Sequence, residues 1–340
     1  MFNLAFLTGS PSFLTGSKPF PLIDGWCADA ALFARQNLRS RETKTDECLA
    51  FLKHFGELSA EESVRTLLSP EVFAYLTSEN NTPGWAELCT GLTVRSSRLR
   101  DQSLVWSQPS SQFKEMLKRQ GKGSRRDSSS NANFIESSKP EFTRYASAID
   151  RALLLLGKVT PGFREEINQL VDCIVLADEG ASFRGASGLA FRGMIILSPE
   201  SSWTDGIIAE ELVHETTHQL LDLISLREPL LKGDRAFDVQ WAAPFRPDKR
   251  PLFGNFHALV VISRLIHLFL AFERYGIEPE TDWRARGQNY AMRSVEAFTS
   301  LKAYGDLSGI AKRLMEKLVE PTLKTVWTTS SCSITGSVPG

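Results

Sequence analysis

The stretch VHETTHQLLDL, residues 213–223, contains two histidines four positions apart, with a glutamate directly after the first. On an α-helix, positions i and i+4 lie about 40° apart around the axis, so His214 and His218 point the same way, one turn apart. Both imidazoles can then reach one divalent ion. Glu215 is turned about 100° away, which suits a base or a supporting group better than a direct ligand. The stretch therefore predicts a metal-binding helix.

The residues on either side of the motif predict that its helix is buried. The segment IIAEELVH precedes the motif and QLLDLISL follows it, and the polar cluster SSWTD at 201–205 predicts the cap of a helix that begins near Gly206. Burying two histidines and a glutamate is costly unless a metal ion or a hydrogen-bond network compensates. We favour the metal ion, and a satisfied core network of structural histidines is the alternative.

Three short apolar segments before this helix predict strands. They are CIVLAD at 173–178, SGLAF at 187–191 and MIILS at 194–198. Arg192 and Gly193 separate the last two segments at the distance of a hairpin turn. Strands followed by a metal-bearing helix resemble the core of zincin-type folds. We therefore expect an α+β chain that is predominantly helical, with a small β-sheet or hairpin packed against a zincin-like metal-binding helix.

Helical periodicity covers most of the remaining chain and indicates its domain organisation. Helices are predicted at several places between 26 and 100, from Pro140, over 160–171, over 257–275 ending before Gly276, over 282–304, and over 306–319 ending before Pro321. The segment KRQGKGSRRDSSSNANFIESSK has little to bury and predicts a flexible loop or linker. We divide the chain into an N-terminal helical region (1–117), this linker (118–139), a metal-binding catalytic region (140–325) and a disordered tail (326–340).

Composition limits the partners and the compartment. The chain has 340 residues, a formal net charge of -1 and 42% hydrophobic residues, which is ordinary for a globular protein and gives no electrostatic case for nucleic acid. Five scattered cysteines without CxxC spacing favour a reducing cytosol. The apolar stretch 257–272 contains Arg264 and two histidines, so we expect a buried helix rather than a membrane span. Because the start also lacks a basic n-region, we expect a cytoplasmic protein.

A metal site needs a third protein ligand. The metzincin extension would place a glycine at 221 and a histidine at 224, but this chain has Leu221 and Ile224, so that class is excluded. Glu273 could supply a carboxylate, but it lies at the far end of the predicted 257–275 helix. His257 lies where that helix is predicted to open and is the better candidate. Its alternative role is that of a core or capping histidine.

Two arginines between these histidines could bind a carboxylate. Arg246 and Arg250 each precede a proline, which favours extended backbone. Extended arginines near a metal can clamp a carboxylate through a bidentate, charge-assisted pair. Two surface arginines in salt bridges are the alternative.

The combination of LVHETTHQLL, PFRPDKRP and GNFHALVV resembles the HEXXH motif family of peptide-modification proteins. Members are described as 2-oxoglutarate- and Fe(II)-dependent peptide β-hydroxylases that act on ribosomally made peptides. The resemblance covers roughly residues 140–275. Ala258 stands where the family usually has a glycine after the later histidine.

The resemblance implies an oxygenase whose iron ligands include His214 and His218, with His257 matching the downstream histidine. Arg250 would match the arginine that could hold the 2-oxoglutarate co-substrate, and Arg246 lies close to it in sequence. The substrate would be a peptide, and Glu215 would orient a ligand instead of activating water.

A zinc metallopeptidase is the main alternative to the oxygenase. In that enzyme His214 and His218 would hold zinc, and Glu215 would be the general base that deprotonates the attacking water. Imidazole suits both zinc and iron, so the histidines alone do not choose between the two metals. A non-catalytic protein with structural histidines is the third possibility.

Overall fold

The computed structural model describes residues 104–105, 134–179, 183–188, 192–233, 236–237 and 241–326. The helices predicted between 26 and 100, most of the predicted linker, and the tail beyond 326 lie outside these residues. Within them the chain is mainly helical and carries a small sheet, which confirms the α+β class.

The first half of this region contains both helices and strands, and the second half is mainly helical. In chain order they are α1 (Pro140–Val159), α2 (Pro161–Leu170), β1 (Cys173–Leu176), β2 (Gly185–Ala186), β3 (Met194–Leu197), α3 (Asp205–Arg227), β4 (Trp241–Ala243), β5 (Arg246–Arg250), α4 (Leu252–Tyr275), α5 (Trp283–Arg293), α6 (Val295–Tyr304) and α7 (Gly309–Leu314). A π-helix over Met315–Val319 follows α7.

The chain forms two compact units. Among the described residues, one unit contains 104–105, 134–151 and 167–227, and we call it the sheet unit. The other contains 152–166 and the described residues from 228 to 326, and we call it the C-terminal unit. The candidate motif helix α3 therefore belongs to the sheet unit.

The sheet has three strands in the order β1-β3-β2. β1 and β3 are parallel, with Cys173 opposite Met194, and all eight of their residues are buried. β2 pairs antiparallel with β3, with Gly185 opposite Leu197. Isolated bridges join Val105 and Phe134 to the β1 segment. The apolar runs 173–178 and 194–198 thus form the buried centre of the sheet, as their composition predicts.

Helix α3 begins at a polar cap, as the sequence predicts. The Thr204 side-chain oxygen accepts a hydrogen bond from the Ile207 N–H, and Asp205 places a negative charge in the first turn. Both features stabilise a helix N-terminus. Most of the apolar residues of α3 are buried, among them Leu212, Val213 and Leu220. The prediction of a largely buried motif helix is confirmed.

In the C-terminal unit, α4 is the central helix and packs against α5, α6 and β4. It is long and apolar enough to span a membrane by length and composition alone, but 83% of its apolar window is buried inside the protein. The prediction of a buried helix is confirmed. Arg264 is accommodated in it because the guanidinium Nη2 contacts both carboxylate oxygens of Glu166 at 2.8 Å and the guanidinium stacks over Phe163.

Several predicted boundaries differ from the structure. The strand predicted at 187–191 is wrong at Ser187 and Gly188, because the paired residues are Gly185 and Ala186. β2 and β3 pair antiparallel, and Arg192 and Gly193 form a turn in the connection between them. Positive φ at Gly193 explains why glycine stands in that connection.

The helix predicted from 257 begins earlier, at Leu252. Pro251 is its N-cap, and a proline before the first turn loses no helical hydrogen bond. The end before Gly276 is confirmed, because Gly276 adopts the left-handed conformation and donates to the Phe272 and Glu273 carbonyls. His257 therefore lies in the second turn of α4 and does not open it.

The last two predicted helices also differ from the structure. The helix predicted over 282–304 is two helices that meet at Ser294. The predicted stop before Pro321 is wrong, since helical residues continue to 326. In the π-helix before the proline, the Glu320 N–H bonds the Met315 carbonyl five residues back. A shifted register of this kind accommodates a residue that has no N–H.

Candidate metal centre

Helix α3 brings His214 and His218 together on one face. Their Nε2 atoms are 3.3 Å apart, and the ring centroids are 5.0 Å apart with the ring planes inclined at 58°. Both rings are half-buried, so each can still be reached from outside the core. The i, i+4 spacing thus gives the paired nitrogens that the sequence predicts.

The separation of the two nitrogens fits a shared metal ion. Two imidazole nitrogens that bind one tetrahedral ion at about 2.0–2.1 Å each are about 3.3 Å apart. A hydrogen bond between two neutral imidazoles has a similar length. One of the two rings would then have to carry its proton on Nε2. The pair can therefore hold a metal ion or share a proton without rearrangement.

The protonation state of His214 also suits metal binding. Burial, together with the positive charge of Arg184, lowers the pKa of His214 to about 4. At neutral pH the imidazole is uncharged, so one of its two ring nitrogens has a lone pair available for a cation. Among the described residues, no group of three or more His, Cys, Asp or Glu side chains is arranged to hold a metal ion. The described residues thus bring two candidate ligands together, His214 and His218.

Glu215 packs onto the β2 segment. Its Oε2 atom lies 2.6 Å from the Ser187 hydroxyl, which donates the hydrogen bond, and both residues are buried. Gly185 leaves the space for the carboxylate, because a Cβ at that position would lie 2.7 Å from Glu215 Oε1. A short, charge-assisted hydrogen bond of this kind fixes the carboxylate. The glutamate of the motif therefore ties α3 to β2.

Gln219 ties the same helix to β3. Its amide oxygen accepts from the Gly193 N–H at 2.9 Å, and its amide nitrogen donates to the Met194 carbonyl at 2.8 Å. The side chain is buried, so both polar ends of the amide are satisfied. Glu215 and Gln219, one turn apart, thereby fix the position of α3 against the sheet.

Arg184, just before β2, reaches the same helix. Its Nη2 atom lies 3.2 Å from Glu211 Oε1, and its guanidinium stacks over the Trp203 ring at 4.8 Å from the centroid. Glu211 precedes His214 by three residues, so the carboxylate and the histidine share a helix face. The sheet unit thus places a cation beside the histidine pair.

His257, Arg250 and Arg246 lie in the C-terminal unit. His257 is buried, and its ring lies 4.4 Å from that of Phe253. Arg246 and Arg250 are the ends of β5, where the backbone is extended as their position before proline predicts. Arg250 is paired in register with Trp241. The roles of His257 as a third ligand and of the two arginines as co-substrate ligands stay predictions.

Three residues of this centre were not found from the sequence. Ser187 fell inside a predicted strand, and neither Gly185 nor Arg184 belongs to a recognisable motif. Each contacts α3 across a long sequence separation, and residue spacing alone carries no signal for such a pairing.

Neither a protein-family model nor a curated protein sequence matches this chain.

Proposed function

We propose that this protein is an Fe(II)- and 2-oxoglutarate-dependent oxygenase that hydroxylates a side-chain β carbon of a ribosomally made peptide. The overall reaction consumes dioxygen and 2-oxoglutarate. One oxygen atom enters a C–H bond of the peptide as hydroxyl, and the other enters the succinate that forms as 2-oxoglutarate loses carbon dioxide.

The observation that carries this proposal is the histidine pair, with its nitrogens 3.3 Å apart on a buried helix. His214 and His218 would hold the metal ion, and a third protein ligand would complete the site. Iron that is bound by two histidines and one further ligand would retain open coordination positions. It could activate dioxygen there. The uncharged state of His214 at neutral pH supports its role as a ligand.

The position of Glu215 supports an oxygenase over a hydrolase. Ser187 holds one oxygen of this carboxylate, and Gly185 makes room for the other. A carboxylate fixed in this way suits the positioning of α3 and its histidines, and hydroxylation needs no general base to activate water. Gln219 would assist by holding the next turn of the helix against β3.

The proposal is tested by anaerobic reconstitution with Fe(II), followed by addition of 2-oxoglutarate, oxygen and candidate peptides. We expect oxygen-dependent succinate together with a peptide product heavier by one oxygen atom. His214→Ala and His218→Ala should abolish both products, whereas His267→Gln, in the C-terminal unit, should leave them unchanged. Oxygen-independent peptide cleavage without succinate would refute the proposal.

A zinc metallopeptidase is the second candidate, because the 3.3 Å nitrogen separation also fits two imidazoles bound to one tetrahedral ion. The packing of α3 against a mixed sheet would then be zincin-like. Glu215 would act as general base for the attacking water. Glu215→Gln separates the two enzymes: it abolishes a peptidase, whereas an oxygenase keeps part of its activity because glutamine can still accept the Ser187 hydrogen bond.

A further inference from the structure

The sheet unit contains a half-exposed arginine beside the histidine pair. The Arg184 backbone carbonyl accepts a hydrogen bond from the Ser198 N–H at 2.8 Å, which fixes the main chain next to β3. The next residue, Gly185, makes room for Glu215. The backbone of Arg184 is therefore held in place by the same strands that position the motif helix.

The guanidinium of Arg184 lies along the metal-binding face of α3. It contacts Glu211, and residues 211, 214 and 218 fall within about 60° of one another around a helix axis. The Trp203 ring under the guanidinium restricts its plane.

The exposure of the pair leaves Arg184 able to bind another anion. The Arg184 side chain is 42% exposed, whereas that of Glu211 is 8% exposed. An arginine has five N–H donors in a planar fork, and the Nη2 atom of Arg184 lies 3.2 Å from Glu211 Oε1. The guanidinium can keep this buried carboxylate and still offer a two-pronged edge to a second carboxylate.

We infer that Arg184 binds the distal carboxylate of the 2-oxo acid co-substrate at this metal centre. The inference rests on the proposed function and adds a residue to it. It assigns the carboxylate to an arginine of the sheet unit, which also contains the histidine pair. The resemblance instead assigns this role to Arg250.

The test compares two 2-oxo acids that differ in the distal carboxylate. Binding of 2-oxoglutarate and of pyruvate to the Fe(II)-loaded protein is measured by calorimetry without oxygen. We expect Arg184→Gln to weaken 2-oxoglutarate binding by roughly 10- to 100-fold, the loss of a charge-assisted bidentate contact, and to change pyruvate binding by less than about twofold. Arg184→Lys should restore part of the affinity.

Two further variants serve as controls. Arg151 is an exposed arginine of the same unit that forms a bidentate pair with Asp205, and Arg151→Gln should leave both affinities unchanged. If Arg184→Gln alone fails to fold because the buried Glu211 carboxylate loses this counter-charge, the Arg184→Gln/Glu211→Gln variant removes the carboxylate charge as well, and the same selective loss is expected. Thermal unfolding checks the fold of each variant.

The possible outcomes separate the inference from the proposed function. If wild-type protein binds Fe(II) and both acids but Arg184→Gln binds 2-oxoglutarate normally, the inference is wrong and the proposed function stands. An equal loss of both acids also overturns the inference. If Arg250→Gln alone gives the selective loss, the carboxylate belongs to Arg250. If wild-type protein binds neither Fe(II) nor a 2-oxo acid, both proposals fail.

Discussion

Adding one methyl group to β2 should disturb the contact between Glu215 and the sheet. In Gly185→Ala the new Cβ would lie 2.7 Å from Glu215 Oε1 and 3.0 Å from its Cγ, closer than unbonded atoms approach. The buried carboxylate must move, and it then loses the Ser187 hydrogen bond. Overpacking typically costs about 1–3 kcal/mol, and a hydrogen bond to a charged group contributes about 1.5–3 kcal/mol. Because the movement relieves the clash at the expense of the hydrogen bond, the two costs replace one another, and we expect Gly185→Ala to lower the free energy of unfolding by about 2 kcal/mol.

A double-mutant cycle tests whether this cost arises at Glu215. Ser187→Ala removes the same hydrogen bond, so the double variant should cost at least about 1 kcal/mol less than the sum of the single variants. Urea unfolding of metal-free protein measures each value. Gly157→Ala is the matched control, because its Cβ meets Arg164 at an ordinary 3.7 Å and the change should stabilise α1 by about 0.5–1 kcal/mol. The reasoning would be refuted if the double variant lost the sum of the two single losses in unfolding free energy, or if Gly185→Ala left the unfolding free energy unchanged.

Two further predictions concern buried ionisable groups of the C-terminal unit. Glu166→Gln leaves the fully buried Arg264 without its counter-charge and should lower the free energy of unfolding in urea by about 3–5 kcal/mol, whereas the apolar Glu166→Leu/Arg264→Met variant should recover most of it. His267 bonds Thr322, and burial, assisted by Arg264, lowers its pKa to about 4. The unfolded chain then binds a proton that the folded chain does not, so stability should fall between about pH 6.5 and pH 4, by at most about 3 kcal/mol. In His267→Gln, the difference in unfolding free energy between pH 7 and pH 4, measured in urea, should be smaller by this amount. An unchanged difference would contradict the prediction.

Features set by local sequence were predictable. The helices α1, α2 and α3 follow from helical periodicity with proline or polar residues at their starts, and the buried strands β1 and β3 follow from short apolar runs. The meeting of His214 and His218 follows from helix geometry alone. In each case the determining residues lie within one element.

Features set by distant contacts were not predictable. Strand β2 is a glycine and an alanine, which carry no strand propensity, and its pairing depends on β3 and on the glutamate packed against it. The contacts of Ser187 with Glu215 and of Arg184 with Glu211 cross more than twenty residues of sequence. The helical run through Pro321 depends on a π turn that no proline rule anticipates.

We propose that His214 and His218 bind a divalent metal ion. The most direct test is to titrate metal-free protein with Fe(II), and separately with Zn(II), without oxygen and to measure the binding by calorimetry. We expect one ion per chain, a loss of affinity of at least about tenfold in His214→Ala and in His218→Ala, and no change in His267→Gln. Unaltered metal binding by the His214→Ala/His218→Ala double variant would contradict the account.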